Sequence, residues 1–256
     1  GPVAQARRQL VVASPRQRRR PMAMSGEASA TAPPARSEAL DRWADTLGTM
    51  PVVAILRGVE PHEAVPIGRA LAGEGFGILE VPMNSPDALR SIRLLADAVG
   101  SSAIVGAGTV LTAEDVDRVA EAGGKIIVSP NFDEQVVRRT KALGLISVPG
   151  VATPTEAFAA VRCGADALKA FPGEQFPPKI IKAWCMVLPP QTRVFPTGGV
   201  TLENMKDYLD AGASGFGVGT SLYKAGDSVE VVRSKAAAFS AQVGVLFGPP
   251  AKRAKK

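Results

Sequence analysis

From Pro51 onward, short apolar runs alternate with longer stretches of helical spacing, and the alternation repeats eight times. The runs read as strands: Val52–Arg57, Ile78–Met83, Ala103–Gly108, Lys125–Pro130, Ile146–Pro149, Ala167–Phe171, Arg193–Pro196 and Gly215–Gly219. Between them lie helical stretches such as Pro86–Val99, Ala113–Ala122, Asp133–Leu143 and Pro154–Cys163. Several open on Ser or Thr with an acid close behind, as helix N-termini do: Ser85-Pro-Asp, Thr112-Ala-Glu, Thr153-Pro-Thr-Glu and Thr201-Leu-Glu. Many close on glycine, at Gly75, Gly100, Gly123, Gly144, Gly164 and Gly212. Eight parallel βα units of this size predict an α/β fold of the TIM (β/α)8 barrel type. An open doubly wound sheet is the alternative, but the first strand is not followed by a dinucleotide fingerprint. Ahead of the barrel, Leu40, Trp43, Ala44 and Leu47 share one face over Ser37–Leu47, which predicts an additional N-terminal helix.

Composition places the chain without changing that picture. It has 256 residues, 46% of them hydrophobic and 21% charged, as an ordinary globular protein has. No apolar stretch approaches the ~20 residues of a membrane helix, so no membrane partner is expected. The net charge of +6 hints at nucleic acid, but the charge belongs to the ends. Residues 1–36 hold seven Arg against the single acid Glu27, and the last six residues hold four cations. The body between has 19 basic and 23 acidic residues, so no nucleic-acid partner is expected.

The chain is therefore divided into a basic extension (1–36), a (β/α)8 barrel with its N-terminal helix (37–245) and a basic tail (246–256). The extension resembles an organelle transit peptide. It also reads as a tag scar at Gly1-Pro2 ahead of a start at Met22 or Met24. Disorder is expected either way, and the location is cytoplasmic, or an organelle if the extension is a transit peptide. Cys163 and Cys185 are too few for a disulfide scaffold and suggest a reducing compartment. One histidine, His62, excludes a metal site built on several. Following Pro61 at a helix start, it reads as a surface residue.

In a barrel of this kind, chemistry lies at the C-terminal ends of the strands. Reading those ends in order collects Arg57, Glu80, Thr109, Pro130, Lys169, Gly198-Gly199 and Thr220 at one mouth. Lys169 is a cation inside the apolar run Ala167–Phe171. A buried ammonium loses hydration, its pKa falls, and the free amine becomes a nucleophile that forms Schiff bases with carbonyls. The competing reading is a strand-end lysine snorkelling to solvent. Glu80 lies between Ile78-Leu79 and Val81-Pro82, where burial raises a carboxylic acid toward the range useful for proton transfer. A buried glutamate paired with a cation is the alternative. The glycines after strands seven and eight suit a phosphate cradle, with Thr220 adding a hydroxyl. Together they suggest a small phosphorylated substrate.

At this density of motifs the chain resembles the class I aldolases that cleave 2-keto-3-deoxy-6-phospho sugar acids, from about Pro51 to Val243. The motifs are Ala-Ile-Leu-Arg-Gly (54–58), Gly-Ala-Gly-Thr-Val-Leu (106–111), Ser-Pro-Asn (129–131), Thr-Glu-Ala-Phe (155–158), Ala-Leu-Lys-Ala-Phe-Pro (167–172) and Gly-Gly-Val-Thr-Leu-Glu-Asn (198–204). Within the family, Glu80-Val-Pro-Met-Asn-Ser-Pro86 is similar to the branch acting on the galactonate epimer, because the gluconate branch has an Arg where this chain has Asn84. The resemblance implies that Lys169 forms the Schiff base and that Glu80 moves the protons. It implies that Arg57 and Thr109 hold the substrate carboxylate and that Pro130 shapes the methyl pocket. Gly198, Gly199 and Thr220 would bind phosphate. It further implies a homotrimer, with no cofactor and no metal. Three other functions remain open on sequence: a 2-dehydro-3-deoxy-6-phosphogluconate aldolase, a 4-hydroxy-2-oxoglutarate aldolase, and an aldolase-fold structural or interaction subunit.

Overall fold

The computed structural model describes residues 38–248. The readings of residues 1–36 and of 249–256 lie outside it. Its elements are α1 (Glu38–Thr49), β1 (Val52–Ile55), α2 (Pro61–Gly73), β2 (Ile78–Pro82), α3 (Ala88–Val99), β3 (Ile104–Gly108), α4 (Ala113–Glu121), β4 (Ile126–Val128) and α5 (Glu134–Ala142). They continue as β5 (Ile146–Val148), β6 (Gly150–Val151), α6 (Pro154–Arg162), β7 (Leu168–Ala170), a 3-10 turn (Gly173–Gln175), α7 (Pro178–Val187), β8 (Val194–Pro196), α8 (Met205–Asp210), β9 (Phe216–Val218) and α9 (Val229–Phe247).

All strand pairs are parallel. β5-β4-β3-β2-β1-β9 form one sheet and β6-β7-β8 another, and the two are joined at both seams. β5 and β6 are a single strand interrupted at Pro149, which has no N–H to donate but whose carbonyl accepts from the Lys169 N–H at 2.9 Å. At the other seam the Ser214 N–H donates to the Val194 carbonyl at 3.0 Å, and Thr197 bridges Gly217. The result is the expected barrel of eight strands. The fifth runs on to Val151 rather than stopping at Pro149.

Side chains alternate across each strand, so one set points under the helices and the other into the barrel. The outward set (Val52, Ala54, Leu79, Val105, Ile127, Leu168 and Val194 among others) forms one cluster with helix residues such as Ile67, Leu71, Ile92, Leu95 and Ile181. The inward set is separate: Val53, Ile55, Ile78, Ile104, Ile126, Val128, Ile146, Val148, Ala167 and Phe195. Trp43 and Leu47 of α1 belong to that inner cluster, with the Trp43 ring 6.2 Å from Phe195. The Arg42 guanidinium donates to the carbonyls of Gly100 and Ser101, just ahead of β3. The N-terminal helix therefore plugs the end of the barrel at which the strands begin. Its buried face is narrower than its spacing suggests, since Ala44 is exposed.

The helix starts follow the sequence in part. Thr112 and Thr153 accept from the backbone N–H groups of Asp115 and Glu156, and Glu156 reaches back to complete a capping box. Thr201 does not start a helix. α8 begins four residues later, at Met205, because the Asn204 side chain bridges the turn by accepting from the Thr201 N–H and donating to the Gly199 carbonyl. Ser85 is not a cap either: its hydroxyl accepts from the Gly58 N–H at 2.9 Å. Gly100 closes α3 without a left-handed turn, at φ −60.

Candidate active site

β2 and β7 stand four places apart in the closed ring of eight, on opposite walls of the barrel. Glu80 follows the inward Ile78 by two residues on β2, and Lys169 follows the inward Ala167 by two on β7, so both side chains point inside. Glu80 is 1% exposed and Lys169 4%. Both carboxyl oxygens of Glu80 are buried without a hydrogen-bond partner, and Glu80 and Lys169 line the same narrow void. The Phe171 ring centroid lies 4.9 Å from the Lys169 Nζ.

Burial dominates the electrostatics. It pushes the Glu80 carboxyl above its ordinary range, while the charges of Lys169 and Arg57 pull it partly back. It pushes the Lys169 amine down, with Glu80 opposing and Arg57 reinforcing. Both shifts move toward the neutral forms, which is what a nucleophilic amine beside a proton-carrying acid requires. Space for the acid comes from Gly108 at the end of β3. A Cβ on Gly108 would land on the Glu80 carboxyl.

Glu80 and Lys169 border a narrow void of about 10 Å³, lined also by Ile55, Thr197 and Gly217. Those three and Lys169 also line a larger cavity of about 350 Å³. Arg57, Gly198, Gly199 and Thr220 line this larger cavity too. Lys169, Arg57, both glycines and Thr220 are thus gathered around one space, and Glu80 borders the void that shares Ile55, Lys169, Thr197 and Gly217 with it. Gly198 (φ 100) and Gly199 (φ 64) hold a backbone conformation that other residues rarely adopt, which turns the loop against the cavity. Thr109 and Pro130 stand half-buried at the ends of β3 and β4, outside the lining of both spaces. Thr109 is left-handed at φ 55, a genuine outlier for a β-branched residue.

Some members of the site are given no role by a reading of strand ends. Thr197, 5% exposed, lines both spaces. Its signal was parity, two residues beyond the inward Phe195. Ser221, Tyr223 and Lys224 line the larger cavity from the loop after β9, where no periodicity marks them. His62 is exposed on the first turn of α2.

A closed parallel barrel with a buried amine and a buried acid on opposite walls is suited to carbonyl chemistry at the amine. The family model "KDPG and KHG aldolase" matches residues 44–234, and the chain belongs to that family. It is 48% identical over 190 residues to the 2-dehydro-3-deoxy-6-phosphogalactonate aldolase of Escherichia coli K12, covering 74% of this chain and 93% of that protein. The KHG/KDPG aldolase of the same organism is 34% identical over 165 residues, covering 64% and 76%. Among solved structures, a native KDPGal structure superposes with a TM-score of 0.76 at 46% identity, covering 77% of this chain and 96% of that one.

Proposed function

We propose that the protein cleaves 2-dehydro-3-deoxy-6-phosphogalactonate reversibly to pyruvate and D-glyceraldehyde 3-phosphate. One observation carries this reading: a dry amine and a dry, hydrogen-bond-free acid on opposite walls of the barrel, beside a cavity ending in a glycine turn. The free amine of Lys169 adds to C2 of the keto acid. Loss of water, with a proton drawn from solvent, gives an iminium, which is an electron sink. Glu80 in its carboxylate form, directly or through a water, takes the C4 hydroxyl proton. The C3–C4 pair then collapses into the iminium, leaving an enamine and releasing the aldehyde. Glu80 returns the proton to C3, and water hydrolyses the iminium to pyruvate and the free lysine. Charge is taken up by the imine, so the sequence of steps needs no metal.

Position in the cavity lining supports the roles of Arg57, the glycine turn and Thr220, whereas family resemblance alone supports those of Thr109 and Pro130. Arg57 presents a planar fork suited to the C1 carboxylate. Thr109 is assigned beside it, and its left-handed backbone is strain of a sort that clusters at ligand-binding positions. Pro130 is assigned to the wall near the pyruvate methyl. The Gly198-Gly199 turn and the Thr220 hydroxyl receive the 6-phosphate. The higher identity to the phosphogalactonate relative than to the KHG/KDPG one supports the galacto epimer. We also propose a homotrimer, for which the exposed Met186 and Val187 at the end of α7 offer apolar surface. Two free cysteines suit a reducing compartment such as the cytoplasm. Among the described residues no helix is long and apolar enough to cross a membrane.

The test is pyruvate release from the two 6-phosphorylated epimers and from unphosphorylated 4-hydroxy-2-oxoglutarate. A higher kcat/KM for the galacto epimer is expected. A preference for the gluco epimer would move the chain to the other branch, and indifference to phosphate would remove the role of the glycine turn.

A further inference from the structure

Two consecutive residues after β2 grip two consecutive residues after β1. The Arg57 Nη1 donates to the Asn84 Oδ1 at 2.8 Å, and the Gly58 N–H donates to the Ser85 hydroxyl at 2.9 Å. Below this grip the strands are locked in register, with Ile55 opposite Glu80 and the Leu56 N–H donating to the Glu80 carbonyl at 2.8 Å. Ser85 is buried, whereas Arg57 and Asn84 are exposed. An exposed arginine ordinarily samples many rotamers and loses much entropy when a ligand fixes it. Among the described residues Arg57 makes no ion pair with an acid, and its guanidinium donates to a neutral amide oxygen. A carboxylate there would hold the guanidinium more firmly but would cancel its charge. An amide holds it and leaves the charge whole.

We propose that Asn84 is the positioning residue of Arg57, keeping the guanidinium over the cavity as a ready-made, full-charge clamp for the keto-acid carboxylate. The inference rests on the aldolase reading and adds to it a residue that acts only through another. Its electrostatic reach is wider than substrate binding. Arg57 lowers the pKa of Lys169 and also that of Glu80. Once released from Asn84, the guanidinium leaves for solvent and that influence fades. The lysine then loses its proton at higher pH, and the acidic limb of kcat/KM moves up.

The test is a double-mutant cycle on the full chain with Asn84→Ala, Arg57→Ala and the pair. It reads the KM and kcat of pyruvate release, the pH profile of kcat/KM, and the thermal midpoint. We expect Asn84→Ala to raise KM about tenfold, or about 1.4 kcal/mol, with kcat within about threefold. The acidic limb should move upward and the thermal midpoint should stay put. In the Arg57→Ala background the same change should alter KM less than twofold, because nothing is left to position. Asn84→Asp, which holds the arginine but neutralises it, should leave KM raised. An unchanged KM and pH profile for Asn84→Ala, or an equal effect with Arg57 already gone, would overturn the inference. Borohydride trapping of pyruvate on the wild-type protein keeps the two levels apart. An adduct at Lys169 with an inert Asn84→Ala sinks only the positioning role, whereas no adduct sinks the reading beneath it.

Discussion

Substituting Gly108 by alanine tests the placement of the acid with a single methyl group. The backbone at Gly108 has no left-handed φ, so the alanine is conformationally acceptable there. The added Cβ would nevertheless overlap the Glu80 carboxyl and come within 2.8 Å of its Cγ. Glu80 is 1% exposed, walled by inward aliphatic side chains, and makes no hydrogen bond that would return it to position. The carboxyl must give way by an ångström or more. Overpacking of this kind costs about 1–3 kcal/mol of stability, and a misplacement of about 1 Å costs about 10²-fold in rate. Lys169 stands on the opposite wall and is not touched. Gly108→Ala should therefore lose about two orders of magnitude in kcat for pyruvate release, while pyruvate is still trapped at Lys169 by borohydride. The assay compares the two readouts on one preparation whose circular dichroism matches wild type. A variant that keeps wild-type kcat would refute the claim that this carboxyl, in this position, moves the protons. Parallel loss of trapping and turnover would refute its confinement to the proton step.

Other consequences follow from burial. Glu80→Gln keeps the shape and removes the ionisable group proposed to carry the proton, so kcat should fall about 10²–10⁴-fold with little change in KM, as read by steady-state kinetics. Lys169→Met should abolish turnover and yet stabilise the fold at neutral pH, because burial depresses the lysine pKa. The sign follows from linkage. Above the ordinary lysine pKa of about 10.4 the amine is neutral in folded and unfolded chains alike and costs nothing. As pH falls, the unfolded chain takes up the proton first, and stability is lost until the folded pKa is reached. The gain from Lys169→Met should thus appear in urea melts near pH 7 and shrink toward pH 10. Trp43→Ala removes the barrel plug, which is 4% exposed and packed on Phe195. It should cost about 3–5 kcal/mol in the same melts.

Much of this was legible before any coordinates. The eight-fold alternation determines the barrel, and two charged residues inside apolar runs mark the opposed walls, because inward parity and burial follow directly from strand spacing. What the spacing misses is contact made by loops. Asn84 and Ser85 read as the approach to a helix, but their side chains turn back to the neighbouring β1 loop. Pro149 reads as a strand end because it lacks a donor, yet its carbonyl carries the ladder across to Lys169. Thr201 has the composition of a cap, but Asn204 satisfies that turn and delays the helix. Ser221, Tyr223 and Lys224 join the cavity through a loop whose path no local pattern specifies.

The central claim is that the Lys169 amine, deprotonated by its dry surroundings, captures the carbonyl of a keto acid. Incubation with pyruvate and sodium borohydride, followed by intact-mass and peptide mass spectrometry, measures this directly. The account predicts a reduced pyruvyl adduct on the peptide containing Lys169, absent from Lys169→Met. An unmodified Lys169, or an adduct distributed over surface lysines and retained in Lys169→Met, would contradict it.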